Sequence, residues 1–316
     1  MTTSASPFAN YLDDMRACAE AINLTPKEFV QPTDHHVTLN GIDFHYVDWG
    51  NTHLPPLVLL HGGSLTAHTW DMAALLLRDR YHVIAPDQRG HGDTGWTPEA
   101  QANEDNGDLM LKDTEAFIEH LGFPQVILCG MSMGGMNSIR YAARHPERLS
   151  RLIIVDIAPV TMQEGQIEME AFRKETETMN RFEDFLERAI KFNPQRKPAH
   201  LKYSLMHSLK PIPEGWTWKQ AHRERPEAEQ TDEAAMKAAG QKRSEALWKD
   251  VRAITTPTLL MRGAISKILS PEAAADTIKS IKDAELVVIE GAGHSVQGDQ
   301  PAAFAREAMA WLDRRA

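Results

Sequence analysis

Residues 126–135 read Val-Ile-Leu-Cys-Gly-Met-Ser-Met-Gly-Gly, and residues 136–144 continue Met-Asn-Ser-Ile-Arg-Tyr-Ala-Ala-Arg. The run 126–130 has the apolar, β-rich character of a buried strand, and 133–144 reads as a helix. A Gly-x-Ser-x-Gly between a strand and a helix sets its serine, here Ser132, on a sharp, strained turn with the hydroxyl exposed at the sheet's end. The flanking glycines are needed because side chains there would meet neighbouring backbone. The bare pattern is common, and a plain glycine-rich turn is its structural alternative; the strand–turn–helix context makes Ser132 a candidate nucleophile.

Outward from this point the chain alternates. Runs 56–60, 82–86, 151–156, 256–263 and 285–290 read as strands, and 65–78, 108–121 and the stretches starting at 271 and 301 read as helices. Ser270 and Pro271 give the third of these helices an N-cap and an N1 proline. In the last, Phe304, Ala308, Trp311 and Leu312 share one face. Before the first strand, two β-like runs flank Asn40-Gly41, a two-residue hairpin signal. The pattern predicts an α/β fold whose mostly parallel eight-stranded sheet is covered on both faces by helices. Functional residues of such sheets gather at the carboxyl ends of the strands.

The stretch 158–252 breaks the alternation. It is charged, carries five Met and the pair Trp216 and Trp218, and shows helical but no strand periodicity. It is expected to be a helical cap inserted into the core, the alternative being a second domain packed elsewhere. The expected division is an N-terminal extension over 1–34, with one helix around Tyr11 to Ile22, an α/β core over 35–157 and 253–316, and the cap. The Met and Trp content suggests an apolar, adaptable pocket lining.

The chain has 316 residues, 42% of them hydrophobic, and a net charge of −10. That is enough apolar material for a core, and it excludes global disorder. Acidity without a basic stripe argues against nucleic-acid binding. The two cysteines, Cys18 and Cys129, cannot build a disulfide framework or a cysteine-rich zinc site. No apolar run approaches the roughly 20 residues of a membrane span. The start lacks a secretory leader's basic and apolar regions, so a cytoplasmic location is expected.

Two further motifs sit at strand ends. His61-Gly62-Gly63-Ser64 follows the 56–60 strand and can aim a backbone N–H, that of Gly63 before that of Ser64, at the Ser132 turn. With the N–H of Met133 it would form an oxyanion hole. His61 itself suits loop bracing better than proton transfer. Gly291-Ala292-Gly293-His294 follows the last strand, and of the 14 histidines only His294 has the context of a base for Ser132. No metal-ligand spacing is present, and no cofactor or metal is expected.

With these motifs, the segment Pro86-Asp87-Gln88-Arg89-Gly90-His91-Gly92 and the LIIVDIAP strand end, the chain resembles the α/β-hydrolase superfamily, specifically its esterase-like serine hydrolases with a helical cap. The resemblance runs from about residue 36 to the end. It implies a Ser–acid–His triad, a cap over the pocket and hydrolysis without a cofactor, with Asp87 and Arg89 as structural hydrogen-bonders.

One position departs from the family. The acid commonly follows the strand that here is 256–263, and the matching residue is Lys267. A lysine donates where an acceptor is needed. Asp156, at the end of the neighbouring 151–156 strand, is the candidate replacement, because adjacent strands lie only about 4.8 Å apart; its structural alternative is a cap of the turn. The expected activity is that of a carboxylesterase on small to medium uncharged esters, through an acyl-enzyme. The alternatives are a lactonase or C–C bond hydrolase on the same scaffold, or a weakly active ligand-binding homologue. The expected partner is a small-molecule ester, with neither nucleic acid nor membrane; the N-terminal extension could mediate a homodimer.

Overall fold

The computed structural model describes residues 10–102, 104–220 and 233–315. Residues 1–9 of the expected extension and 221–232 of the expected cap lie outside the described residues. The strands are β1 (Thr33–Leu39), β2 (Ile42–Asp48), β3 (Pro56–Leu60), β4 (His82–Pro86), β5 (Val126–Met131), β6 (Leu149–Val155), β7 (Thr178–Met179), β8 (Leu209–Ile212), β9 (Gly215–Trp218), β10 (Thr258–Gly263) and β11 (Ala284–Ile289). The helices used below are α1 (Tyr11–Ala21), α2 (Asp71–Leu77), α3 (Asn106–Leu121), α4 (Met133–Arg144), α5 (Gln163–Glu175), α6 (Phe182–Phe192), α7 (Pro198–Ser208), α8 (Glu233–Ala253), α9 (Pro271–Ser280), α10 (Val296–Asp299) and α11 (Pro301–Arg314).

Eight strands form one sheet in the order β1-β2-β4-β3-β5-β6-β10-β11. β1 pairs antiparallel with β2 and β2 with β4, while the ladders from β4 to β11 are parallel. The β1–β2 turn uses Asn40 and Gly41 at φ +52° and +79°, the left-handed pair that a tight hairpin requires. β4, β5 and β10 are buried along their whole length, which is why they read as unbroken apolar runs.

Alternate residues of these strands enter two cores. Leu57, Leu59, Cys129, Val155 and Met261 pack with Trp70, Phe304 and Trp311, beneath α1, α2 and α11. Val58, Leu60, Leu128, Ile154 and Leu260 pack with Phe117, Ile139 and Val251, beneath α3, α4, α8 and α9. Each such side chain, fully buried, contributes about 1.5–3 kcal/mol before entropy is subtracted. Ser270 accepts a hydrogen bond from the Ala273 N–H at 3.1 Å, capping α9 as its sequence predicts. α1 is no loose lead-in: Met15, Cys18 and Ala19 are buried in the first core.

The stretch between β6 and β10 differs from its sequence reading. Besides helices it holds a three-stranded antiparallel sheet, β7-β9-β8. Strands of two to four residues are too short to show alternation, so helical periodicity dominated the pattern. Trp218 packs with Phe182, Phe185 and Met206 in a separate cluster, against which Trp216 rests. The tryptophans therefore take part in the cluster's own packing. α8 closes the stretch by placing Leu247 and Val251 in the main core beside α4.

Candidate active site

Ser132 sits between β5 and α4 at φ +53°, ψ −114°, a strained conformation for a residue with a side chain. Close packing enforces the turn. A Cβ on Gly130 would lie 2.2 Å from the Gly134 carbonyl oxygen, and one on Gly134 2.3 Å from that of Leu60. The Ser132 N–H donates to Val155 O at 3.0 Å, and its carbonyl accepts from the Met136 N–H at 2.9 Å. The hydroxyl is thus held at the carboxyl end of the sheet by backbone rather than by its own side chain.

β5, β6, β10 and β11 are consecutive in the sheet, and the loops after the first, second and fourth converge. His294 Nε2 lies 2.9 Å from Ser132 Oγ, and His294 Nδ1 lies 2.8 Å from Asp156 Oδ2. Asp156 is fully buried and also has positive φ, at +51°. Its Oδ1 accepts from the Gly263 N–H at 2.9 Å, and its Oδ2 accepts from the Ser266 hydroxyl. A buried carboxylate needs such donors to offset its lost hydration. The structure therefore brings together Ser132, Asp156 and His294 in a serine–imidazole–carboxylate chain.

Lys267 points elsewhere. It is half-exposed and pairs with Glu168 at 2.6 Å and Glu164 at 3.1 Å, both on α5. The residue of this loop that faces the acid is its neighbour Ser266, whose hydroxyl also accepts from the N–H groups of Ile268 and Leu269. Sequence reading passed over Ser266. The available signal was a small hydroxyl residue after β10, since a buried carboxylate at the end of β6 must find its donors in the adjacent loop.

The 61–64 loop lies against the serine turn. A Cβ on Gly62 would be 3.3 Å from Ser132 Cβ, and one on Gly63 3.8 Å from Met133 Sδ. Met133 is the first residue of α4, where an N–H has no intrahelical acceptor. Ser64 has φ +64° and a buried hydroxyl without a partner among the described residues. His61 is a brace: its Nδ1 donates to Gly62 O at 2.8 Å and its Nε2 accepts from the Gln88 N–H at 2.8 Å. Burial lowers the His61 pKa, which fits that neutral role.

Asp87 and Arg89 are structural here. Asp87 accepts from the N–H groups of Ala67 at 2.6 Å and Asp93 at 2.9 Å and binds His45 Nδ1 at 2.7 Å. Against burial, which lowers it, the hydrogen bonds of Asp34 and Asp87 raise the His45 pKa to about 9. Arg89 grips Asp113 with two parallel hydrogen bonds.

Among the described residues, two groups have metal-ligating atoms within 4.8 Å of one another, His68 with Asp71 and His207, and His45 with Asp87 and Asp93. Asp71 Oδ2 takes the hydroxyls of Tyr11 at 2.7 Å and Tyr203 at 2.6 Å, while its Oδ1 is buried without a hydrogen-bond partner among the described residues. Cys18 and Cys129 are free and buried.

A fold of this topology with a serine at a strained strand–helix turn defines a class, and comparison supplies the family. The chain belongs to the alpha/beta hydrolase fold family, whose model matches residues 55–301. It is 28% identical over 276 residues to the esterase Rv0045c of Mycobacterium tuberculosis, covering 84% of this chain and 85% of that protein. It is also 28% identical over 255 residues to 2-(acetamidomethylene)succinate hydrolase of Mesorhizobium japonicum, covering 78% of this chain and 84% of that one. Among solved structures, a crystal structure of E-2-(acetamidomethylene)succinate hydrolase superposes with a TM-score of 0.75 at 22% identity, covering 90% of this chain and all of that one. No helix among the described residues is long and apolar enough to cross a membrane.

Proposed function

We propose that the protein is a serine carboxylesterase acting on small to medium uncharged esters. The observation that carries this reading is the unbroken chain from Ser132 Oγ to His294 at 2.9 Å and from His294 to Asp156 at 2.8 Å. The similarity to an esterase over 84% of this chain supports the choice of ester over other bonds.

In this mechanism His294 Nε2 takes the Ser132 proton as Oγ attacks the ester carbonyl. Asp156 holds the imidazole with Nε2 toward the serine and offsets the charge of the imidazolium. The N–H groups of Gly63 and Met133 receive the oxyanion, each donor contributing about 10²–10³ in rate. His294 then protonates the leaving alcohol, and water, activated by the same imidazole, releases the acid from Ser132. The segment 158–252 serves as the cap over the 35–157 and 253–316 core, and the site's place is cytoplasmic.

The test is labelling with a fluorophosphonate probe beside turnover of a p-nitrophenyl ester series and acyl lactones. Wild type is expected to label and to hydrolyse the esters, and Ser132→Ala and His294→Ala to do neither. An unlabelled, inactive wild type would point to a binding protein, and lactone turnover well above ester turnover to a lactonase.

A further inference from the structure

Among the described residues, two side chains of the 158–252 segment reach buried carboxylates of the core. Tyr203 on α7 donates to Asp71, as described. Arg196, between α6 and α7, donates through Nε and Nη2 to Asp299 Oδ1 at 2.9 and 2.6 Å. The two side chains of that pair are only 9% and 3% exposed, so solvent screens them little.

Asp299 ends α10, five residues after His294. While Oδ1 takes the guanidinium, its Oδ2 accepts from the Gly293 N–H at 2.8 Å, the amide next to His294. One carboxylate thus joins the inserted segment to the loop that aims the imidazole. The sequence also makes room for the pair: a Cβ on Gly298 would lie 2.8 Å from Arg196 Nη2.

We propose that Arg196 is a positioning residue for His294, acting through Asp299, so that the imidazole is aligned with Ser132 only while the 158–252 segment is seated on the core. The proposal rests on the reading of His294 as the general base. Removing the guanidinium leaves Asp299 buried and uncompensated, which is costly. The carboxylate then turns toward water, and its bond to the Gly293 N–H weakens. A misplacement of about 1 Å at a reacting group can cost about 10²-fold in rate. Arg196 touches no reacting atom, so its loss acts on kcat before KM.

The experiment compares Arg196→Ala, Arg196→Lys and Tyr203→Phe with p-nitrophenyl acetate, whose acyl group is too small to need contacts with the inserted segment. Arg196→Ala is expected to lower kcat about 10- to 100-fold with KM within about threefold. Arg196→Lys recovers part of that loss, because it keeps the charge and loses the fork; it carries the test if the alanine variant fails to fold. Tyr203→Phe removes the other tie and leaves kcat within about twofold. The downfield proton resonance of His294 Nδ1–H, bonded to Asp156, shifts or broadens in Arg196→Ala and stays in place in Tyr203→Phe. An unchanged kcat with a raised KM in Arg196→Ala, or an equal kcat loss in Tyr203→Phe, overturns the proposal. If wild type is inactive, the functional reading fails, and the proton resonance alone still decides whether Arg196 holds the ring.

Discussion

The loops after β6 and β10 begin on adjacent strands, in register from Leu152↔Thr258 to Val155↔Met261, yet they contribute different groups. The first begins with Asp156, buried and turned to His294. The second presents Ser266 to that aspartate and sends Lys267 outward to α5. The loop after β6 carries the carboxylate, and the loop after β10 supplies a donor to it. The seating of this buried carboxylate is therefore a property of two loops.

The sharpest way to break this comparison is Asp156→Asn. If Asp156 orients His294, kcat for a p-nitrophenyl ester falls by about 10⁴. The amide nearly preserves shape, so the far-ultraviolet circular dichroism should be unchanged. Wild-type kcat in this variant would leave the pair at 2.8 Å a structural bond and the acid unassigned.

A second test separates rate from fold. Burial pulls His91 down to about 4 and His200, also under the influence of Arg196, to about 3, and it pulls His207 far down as well. In the unfolded chain each protonates near pH 6.5, so below that pH the unfolded state binds more protons and stability falls with pH. The expected slope is on the order of 1.4 kcal/mol per pH unit for each histidine, between about pH 6.5 and 4. His45 has the opposite sign. Raised to about 9, it contributes stability that is complete below about pH 6.5 and lost as the pH rises through 9. Denaturant melts should therefore place maximal stability near neutrality, the range in which the two loops' variants are compared. A melting temperature still rising as pH falls from 6 to 4.5 would contradict the burial of these rings.

The bearing of Ser266 on the acid is smaller. Ser266→Ala removes one of the donors to Asp156 and leaves a buried charged group less satisfied, at about 1–3 kcal/mol of stability. A loss of about tenfold or less in kcat accompanies it, since the Gly263 N–H still holds Oδ1. Equal stability of Ser266→Ala and wild type in urea would detach this loop from the acid.

What was legible in sequence follows the same division. The strands, the Ser132 turn and His294 were readable because short-range chemistry dictates them: apolar runs, a glycine whose Cβ would strike backbone, a histidine in a glycine-rich strand-end loop. Asp156 was readable only because strand adjacency could be argued from topology. Ser266 and Arg196 were not, since each acts through a partner more than 100 positions away, Asp156 and Asp299. The small β7-β9-β8 sheet was missed because strands of two to four residues carry no period.

The smallest expected effect is the most discriminating. Lys267→Asp restores the residue type that the resemblance leads one to expect, and a site lacking a working acid would respond with a large gain. In this structure the 267 side chain faces Glu164 and Glu168 across an exposed contact. The variant should leave kcat within about twofold and change stability little, because exposed ion pairs contribute little. Combined with Asp156→Asn, it asks whether the old position can still serve. With Ser266 turned inward and its neighbour pointing out, the double variant should stay as slow as Asp156→Asn alone. Recovery of about 100-fold or more in the double variant would mean that the β10 loop can turn its 267 side chain to His294. The division of work between the two strand ends would then rest on residue identity rather than on the path of the backbone.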